Sequence, residues 1–227
     1  MNDFSTTEFS EFVIDEHIIG IRATDLTLKS GRRSPHYVNW RTLANDVYLL
    51  DNLTDYVLQF VAQLQLECDC FYGVPEGATK LGVVTQFKWA RRRADYGAGA
   101  YRLPMGRAKA KEHGDAADRY FVGAPEGRVV LLEDTTTTGG SMLQAATFLQ
   151  DLGVDIVAAI GLTNRNEKRD DGLTVAEAAA AQGISYHAMS NALELLPIMR
   201  RRDLIPADRI AALEVYYEEF GEQSLQW

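Results

Sequence analysis

The stretch 129–141 is the feature of this sequence that most constrains the fold. It reads VVLLEDTTTTGGS: four apolar residues, two carboxylates, four threonines, two glycines and a serine. The apolar run has the length of a buried parallel strand, and the apolar residues after Ser141 have helical spacing. The small polar residues are therefore expected in a strand-to-helix loop at the carboxyl end of a sheet, where open α/β folds bind their ligands.

The residue types in this loop favour a sugar phosphate as the ligand. Glycines let the backbone approach a ligand closely, and amides at a helix N-terminus, helped by threonine hydroxyls, bind a phosphate. Glu133 and Asp134 do not suit a phosphate, but they can accept hydrogen bonds from the vicinal hydroxyls of a ribose. A plain strand–turn–helix connection is the alternative, although threonine is a poor choice for the positive φ of turns. A Walker-type P-loop is disfavoured because no Gly-Lys-Ser/Thr ends the loop.

This arrangement resembles the signature by which type I phosphoribosyltransferases bind 5-phosphoribosyl 1-diphosphate (PRPP). The resemblance implies an α/β fold with a mostly parallel central sheet flanked by helices, a small N-terminal hood and a mobile catalytic loop. It also implies that Glu133 and Asp134 hold the ribose hydroxyls. The 5-phosphate would be bound by Thr135, Thr136, Thr137, Thr138, Gly139, Gly140 and Ser141.

Two other segments resemble the orotate phosphoribosyltransferases of that family. The segment 27–35, TLKSGRRSP, resembles their N-terminal segment, which implies that Lys29 contacts the base and that the nearby Tyr37 covers it. The segment 107–114, RAKAKEHG, resembles their mobile catalytic loop. That resemblance implies PRPP-binding and catalytic roles for Arg107, Lys111 and His113, alongside Asp134, whereas Ala108 stands where a lysine is usual. The alternatives are a solvated basic hairpin and a solvated charged face.

The charge of the second segment has a physical use that is independent of any family. A departing diphosphate develops negative charge, and cations that close over it in a water-excluded site stabilise that charge. Residues 106–125 are polar, charged and aperiodic. The segment is long for a connection without secondary structure, and such long loops are often lids over a site. We therefore expect 106–125 to be a mobile loop.

Two more strand ends complete the expected site. Pro75, Glu76 and Gly77 follow a short strand and could offer backbone amides to the diphosphate. Related enzymes often carry a lysine in this loop, whereas this chain has Glu76 and Gly77. The next strand after the central motif delivers Arg165, and the resemblance implies that Arg165 and Thr137 bind the pyrimidine. A surface arginine among polar neighbours is the alternative.

The pattern along the chain predicts strands that alternate with helices, and hence a mostly parallel sheet. An amphipathic helix with Ser5 and Glu8 as capping box and a hairpin over 27–39 open the chain. The remaining helices are expected at 47–64, 79–93, 174–182 and 206–220. The remaining strands are expected at 70–74, 101–104, 129–132, 154–162 and 184–189.

The overall composition bounds the class of protein. The 227 residues suit a single phosphoribosyltransferase domain, 1–227, with hood elements over about 1–45. A net charge of −9 argues against broad nucleic-acid binding. Neither a membrane-spanning run nor a signal-peptide pattern is visible, so a cytoplasmic protein is expected. Cys68 and Cys70 are expected to be reduced, buried thiols.

These patterns together predict an orotate phosphoribosyltransferase that acts on PRPP and orotate. The resemblance further implies a magnesium ion, held through PRPP and water near Glu133 and Asp134, and a homodimer in which the loop 106–125 reaches the neighbouring site. One alternative is a phosphoribosyltransferase for another nucleobase. The other is a non-catalytic PRPP-sensing regulator, which would need a nucleic-acid surface that the sequence does not show.

Overall fold

The computed structural model describes residues 3–28, 30–107, 109, 111–113 and 119–227. Its helices are α1 (Thr6–Asp15), α2 (Trp40–Leu43), α3 (Val47–Gln63), α4 (Thr79–Arg91), α5 (Gly140–Asp151), α6 (Val175–Ala180), α7 (Ala192–Arg201) and α8 (Ile210–Phe220), with a 3-10 turn at Ala207–Arg209. Its strands are β1 (Ile19–Thr27), β2 (Arg33–Val38), β3 (Cys70–Gly73), β4 (Arg128–Thr136), β5 (Asp155–Asn164) and β6 (Ser185–Asn191).

The central sheet has the strand order β3-β4-β5-β6, and its neighbours pair in parallel. Strands β1 and β2 form a separate antiparallel hairpin. This arrangement confirms the predicted α/β class and the predicted N-terminal hairpin. Because all four central strands run the same way, their carboxyl ends meet at one edge, where the loops after β3, β4 and β5 can form a common site.

Alternate residues of β4 pack on opposite faces of the sheet. Val130 and Leu132 lie in the apolar cluster formed with α1, α3, α7 and α8, whereas Val129 and Leu131 lie in the cluster formed with α5 and α6. All four side chains are completely buried. The near-continuous apolar run is therefore that of a strand covered on both faces, as predicted.

Most of the predicted elements are confirmed. The hairpin predicted at 27–39 is present, but its first strand lies at Ile19–Thr27, and the short helix α2 was not predicted. The strand expected at 101–104 is wrong: this segment pairs with no strand, and the carbonyl oxygen of Arg102 accepts a hydrogen bond from Gln86 Nε2 on α4 at 2.8 Å. Helix α7 was not predicted. Thr174 and Glu177 form the expected capping box on α6, whereas the described residues of α1 show only one bond of the box expected there, from the Glu8 amide to Ser5 Oγ.

The two cysteines are free thiols. Cys70 is buried and Cys68 is half-buried. Burial raises the pKa of the Cys70 thiol to about 11, so the thiol stays protonated at neutral pH. Within the described residues, no helix combines the length and the apolar character needed to cross a membrane.

Candidate active site

Strand β4 carries the acidic pair and runs further than the sequence suggested. Thr135 and Thr136 pair with Thr163 and Asn164 of β5, so the first two threonines belong to the strand rather than to the loop. Threonine is β-branched and suits this extended backbone. The loop itself is only 137–139, and Gly140 and Ser141 already form the first turn of α5.

The N-terminus of α5 has a glycine as its N-cap residue. Its N-cap residue, Gly139, has a φ of 69° and offers no side-chain hydrogen bond to the first-turn amides. A Cβ at this position would lie 2.9 Å from Val175 Cγ1, so glycine serves both the backbone conformation and a close contact. A glycine at the N-cap leaves space for a ligand at this helix N-terminus, and binding of a phosphate there stays a prediction.

The predicted phosphate residues differ in exposure. A ligand can reach the half-buried residues, which are Thr135, Thr137, Thr138, Gly140 and Ser141. Thr136 is 1% exposed, and its hydroxyl is hydrogen-bonded to the hydroxyl of Tyr186. A phosphate contact from the Thr136 side chain is therefore not supported by this arrangement.

The two carboxylates lie at the end of β4. Glu133 is buried, with 7% exposure, and Asp134 is half-buried. Asp134 Oδ1 accepts a hydrogen bond from the Thr135 amide at 2.7 Å, and its Oδ2 lies 3.7 Å from Arg41 Nε. Asp134 is thus oriented by the amide of the next residue and is half-buried, which suits acceptance of a hydrogen bond from a ligand hydroxyl.

The loop after β3 lies directly against Asp134. A Cβ on Gly77 would fall 2.2 Å from Asp134 Oδ2 and 2.4 Å from its Cγ, so only a glycine permits this approach. The predicted diphosphate residues 75–77 and the predicted ribose carboxylate are therefore neighbours. This adjacency is what a single PRPP molecule requires, because its diphosphate is attached to the ribose carbon next to the 2′-hydroxyl.

Replacing Gly77 with alanine is expected to weaken PRPP binding several-fold. The new methyl group must displace the Asp134 carboxylate and disturb its hydrogen bond to the Thr135 amide, and a misplaced hydrogen bond to a charged group costs about 1.5–3 kcal/mol at most. Calorimetric titration with PRPP measures the effect. Gly97→Ala is the matched control, because a Cβ there meets only Asp95 O at 3.8 Å. Equal affinities of the two variants would contradict the assignment.

Arg169 is a residue of this site that the sequence analysis missed. Its Nη1 donates to the carbonyl oxygen of Thr138 at 2.6 Å, and its Nε and Nη2 bind the Asp171 carboxylate. Arg169 therefore holds the loop 137–139 from the segment after β5. No spacing or motif in the sequence places these two segments together.

Arg165 follows β5 but is not a surface residue. Its side chain is 2% exposed, its Nε donates to Glu167 Oε1 at 2.7 Å, and its Nη2 donates to Ser34 Oγ at 2.8 Å. The surface alternative is thus wrong. An orotate contact by Arg165 stays a prediction, and it would have to form alongside these two bonds.

The hairpin residues predicted to bind the base are placed only in part. Lys29 lies outside the described residues. Tyr37 is half-buried and crosses Gly20 of β1, with the Arg22 guanidinium 4.6 Å from its ring centre. His36, beside it, is fully buried; burial and the charge of Arg165 lower the pKa of His36 well below its ordinary value, so the imidazole is neutral at pH 7.

The two ends of the loop 106–125, its first and second arms, pair with each other, whereas the sequence predicted a segment without regular structure. Gly106 and Phe121 form an antiparallel bridge, and the Arg107 amide donates to Tyr120 O at 2.8 Å. Phe121 is buried and packs between the rings of Tyr72 and Phe148. These aromatic contacts fix the second arm of the loop to the sheet and to α5.

The predicted catalytic cations lie along the first arm of this loop. Arg107 Nε donates to Phe121 O at 3.2 Å. The Lys111 amide donates to Arg119 O at 2.9 Å, and both Lys111 and His113 are exposed. Residues 108, 110 and 114–118 lie outside the described residues, so the prediction about Ala108 is untested. The mobility of the loop also stays a prediction.

The geometry brings together three groups that a phosphorylated ribose can use. They are the N-terminal turn of α5, the carboxylate of Asp134 and the backbone of the loop after β3. All three lie at the carboxyl edge of neighbouring parallel strands, where ligand sites of α/β folds occur. The site can therefore hold a phosphate and a sugar hydroxyl at the same time.

Comparison with known proteins agrees with this geometry, although no family model matches the chain. The chain is 33% identical over 180 residues to the orotate phosphoribosyltransferase of Rhodopseudomonas palustris, covering 76% of this chain and 87% of that one. It is 28% identical over 218 residues to the orotate phosphoribosyltransferase of Methylococcus capsulatus, covering 94% and 96% of the two chains.

A solved structure shows the same fold. The orotate phosphoribosyltransferase of Francisella tularensis superimposes with a TM-score of 0.68 at 21% identity, and the match covers 94% of this chain and 99% of that one. The fold is thus that of the type I phosphoribosyltransferases, as predicted. With a relative above 30% identity covered over most of its length, the comparison settles the family: this chain belongs to the orotate phosphoribosyltransferases.

Proposed function

We propose that this chain transfers the 5-phosphoribosyl group of PRPP to orotate, giving orotidine 5′-monophosphate and diphosphate in pyrimidine nucleotide synthesis. The observation that carries the proposal is the contact between Gly77 and the Asp134 carboxylate. It joins the loop expected to bind diphosphate to the strand end expected to bind ribose. The N-terminus of α5 follows that strand after a loop of three residues, 137–139, and would bind the 5-phosphate.

The protein's part in this reaction is to position PRPP and to stabilise charge. The bond between ribose C1 and the diphosphate oxygen breaks while a bond from C1 to the base nitrogen forms. Fixing the 5-phosphate on α5 and the ribose hydroxyls on Glu133 and Asp134 holds C1 towards the base, which lowers the entropic part of the barrier. We assign no general base, because the attacking nitrogen of orotate can lose its proton outside the enzyme.

A magnesium ion bound through PRPP and water is part of the proposal. Among the described residues, no group of three or more His, Cys, Asp or Glu side chains could hold a metal ion. The carboxylate pair Glu133 and Asp134 nevertheless suits Mg²⁺, which typically keeps several waters and binds one or two carboxylates together with substrate phosphates. When bound, the ion would neutralise part of the diphosphate charge.

The choice of orotate as the base rests on charge. Orotate carries a carboxylate, and Lys29 is a cation that a neutral base such as adenine would leave unused. Arg165 would add its guanidinium while it keeps its pairing with Glu167. The planar fork of an arginine also suits a carboxylate or an imide edge. The names of the relatives agree with this choice. Transfer to another nucleobase and a non-catalytic PRPP-sensing role remain the alternatives that the experiments below separate.

We also propose that the chain works as a homodimer whose loop 106–125 reaches the neighbouring site. Apolar side chains gather at the root of this loop: Phe87, Tyr96 and Leu103 are about half exposed and line a cavity of about 340 Å³. A second copy that covers them would bring each loop next to its neighbour. Exposed apolar patches of this kind are typical of protein interfaces.

Asp134→Ala tests the proposed sugar site. The variant should bind PRPP more weakly by about 1.5–3 kcal/mol, because a hydrogen bond from a ribose hydroxyl to a charged acceptor is lost. Calorimetric titration measures the change. Asp151→Ala, at the exposed C-terminal end of α5, removes the same charge away from the site and should bind PRPP like the wild type. A folded Asp134→Ala protein with unchanged affinity would remove the basis of the proposal.

A further inference from the structure

The loop after β3 contains no cation for the diphosphate it is expected to bind. Residues 74–79 read VPEGAT, so the charge it carries is the exposed carboxylate of Glu76. The neighbouring strand end adds Glu133 and Asp134. A diphosphate placed among three carboxylates is repelled unless a positive group lies close by.

Lys80 follows the loop but is engaged elsewhere. Its Nζ donates to Ala44 O at 3.2 Å and to Asn45 Oδ1 at 2.6 Å. These acceptors lie immediately after the short helix α2. Lys80 therefore secures the end of α2 and is not directed at the diphosphate loop.

Arg41 of α2 is placed where this loop needs a cation. Its Nε lies 3.7 Å from Asp134 Oδ2, the oxygen that a Cβ on Gly77 would approach to 2.2 Å. Arg41 and Gly77 thus flank the same carboxylate oxygen. The Arg41 side chain is 70% exposed, so a ligand bound beside Asp134 can reach it.

The backbone that carries Arg41 is firmly held although the side chain is exposed. The preceding residue, Trp40, is buried, stacks on Phe9 and donates from Nε1 to Thr163 Oγ1 at 3.0 Å. The Arg41 amide donates to Asn39 Oδ1 at 3.2 Å. The backbone at Arg41 is therefore fixed, and only the side-chain torsions need to change for the guanidinium to reach a ligand.

We propose that Arg41 is a further PRPP-binding residue, which pairs with Asp134 in the free protein and turns to the diphosphate when PRPP binds. The inference rests on the proposed function and deepens it. The pair is long, at 3.7 Å, and its arginine is 70% exposed, so breaking it costs little. The exchange frees Asp134 for the ribose hydroxyls and gives the diphosphate a planar donor that can bind two oxygens at once.

Arg41→Ala tests the inference through a comparison of three ligands. Calorimetry with PRPP, with inorganic diphosphate and with ribose 5-phosphate, each with Mg²⁺, should show the first two weakened on the order of 10–100-fold. Ribose 5-phosphate, which lacks the diphosphate, should bind as it does to the wild type. Arg41→Lys should recover part of the lost affinity. Arg201→Ala, an exposed arginine on α7, is the matched control and should change none of the three.

Two outcomes with Arg41→Ala overturn the inference while they leave the proposed function standing. Unchanged affinity of Arg41→Ala for PRPP and diphosphate excludes contact with the diphosphate. An equal loss for ribose 5-phosphate shows that Arg41 acts only through the structure of the site. These titrations need no turnover. The Arg41 result therefore does not depend on whether orotate is the base that the enzyme uses. A wild-type protein that binds neither PRPP nor diphosphate ends both the inference and the proposed function.

Discussion

Replacing Lys111 with alanine is expected to lower kcat about 10²–10³-fold, by analogy with the loss of one oxyanion donor, while the KM for PRPP changes much less. The side chain is exposed on the first arm of the loop 106–125, with its backbone amide paired to Arg119 O. When the loop closes, the ammonium group would meet the diphosphate as negative charge develops on it. An interaction that strengthens in the transition state raises kcat more than it tightens substrate binding.

Lys109→Ala is the matched control for this variant. Lys109 lies two residues away in the same loop and carries the same charge, but it holds no position in the resembled motif. Steady-state kinetics with PRPP and orotate should show a much smaller change in kcat for Lys109→Ala than for Lys111→Ala. Similar losses for both would mean that the total charge of the loop matters and that Lys111 has no specific role.

Mixing two inactive variants tests whether the loop acts on the neighbouring subunit. In a hybrid dimer of Lys111→Ala and Asp134→Ala chains, one site would combine an intact Asp134 with an intact loop from the other chain. Activity should therefore return after subunit exchange. If exchange is confirmed and activity stays absent, the loop serves its own chain or no site at all.

Glu167→Ala is expected to lower the free energy of unfolding by about 3–5 kcal/mol, the cost of breaking a buried ion pair from one side. Glu167 is completely buried between two arginines, accepting from Arg165 Nε at 2.7 Å and from Arg32 Nη1 at 3.2 Å. Without it, the buried Arg165 keeps its charge with no anion beside it. The variant also loses the bond from Arg32 Nη1, which is one of the contacts between the hairpin and the segment after β5.

Asp170→Ala separates this effect from the general loss of an acidic partner. Asp170 Oδ1 also accepts from Arg32, at 2.9 Å, but its side chain is 97% exposed. Such a surface pair contributes about 0–1 kcal/mol. Urea unfolding of both variants gives the comparison, and equal midpoints would show that the buried cluster does not stabilise the fold as described.

The sequence was enough to predict the sheet and the core of the site because both depend on local patterns. The apolar run of β4 and the polar residues after it mark a strand and a ligand loop by residue type alone. The end of the strand was misplaced because Thr135 and Thr136 are equally compatible with a strand and a loop. Only their pairing with β5 decides between the two.

Helix α7 shows how a single residue obscured a clear pattern. Pro197 lies inside the helix, where proline removes a backbone hydrogen bond and usually ends a helix. Yet the buried residues Ala192, Leu195, Leu196 and Met199 have helical spacing, and Asn191 caps the first turn. Here the energy of burying one face outweighs the lost bond, and that balance depends on the rest of the fold.

The contacts of Arg41, Arg165 and Arg169 could not be predicted for a different reason. Each depends on residues distant in the chain: Asp134 for Arg41, Ser34 for Arg165 and Thr138 for Arg169. The sequence shows that these side chains are cations, but it does not show which acceptor each one meets. The tail after 174, which carries no motif, likewise acquires its role only by packing, since Tyr217 of α8 lies against His36 of the hairpin.

Release of diphosphate from PRPP with a panel of bases tests the central claim most directly. The wild-type protein with Mg²⁺ should release diphosphate at a substantial rate with orotate, and at no more than a background rate with uracil, adenine or hypoxanthine. Orotidine 5′-monophosphate should form in equal amount. Faster release with another base, or binding of PRPP without turnover of any base, would contradict the assignment as an orotate phosphoribosyltransferase.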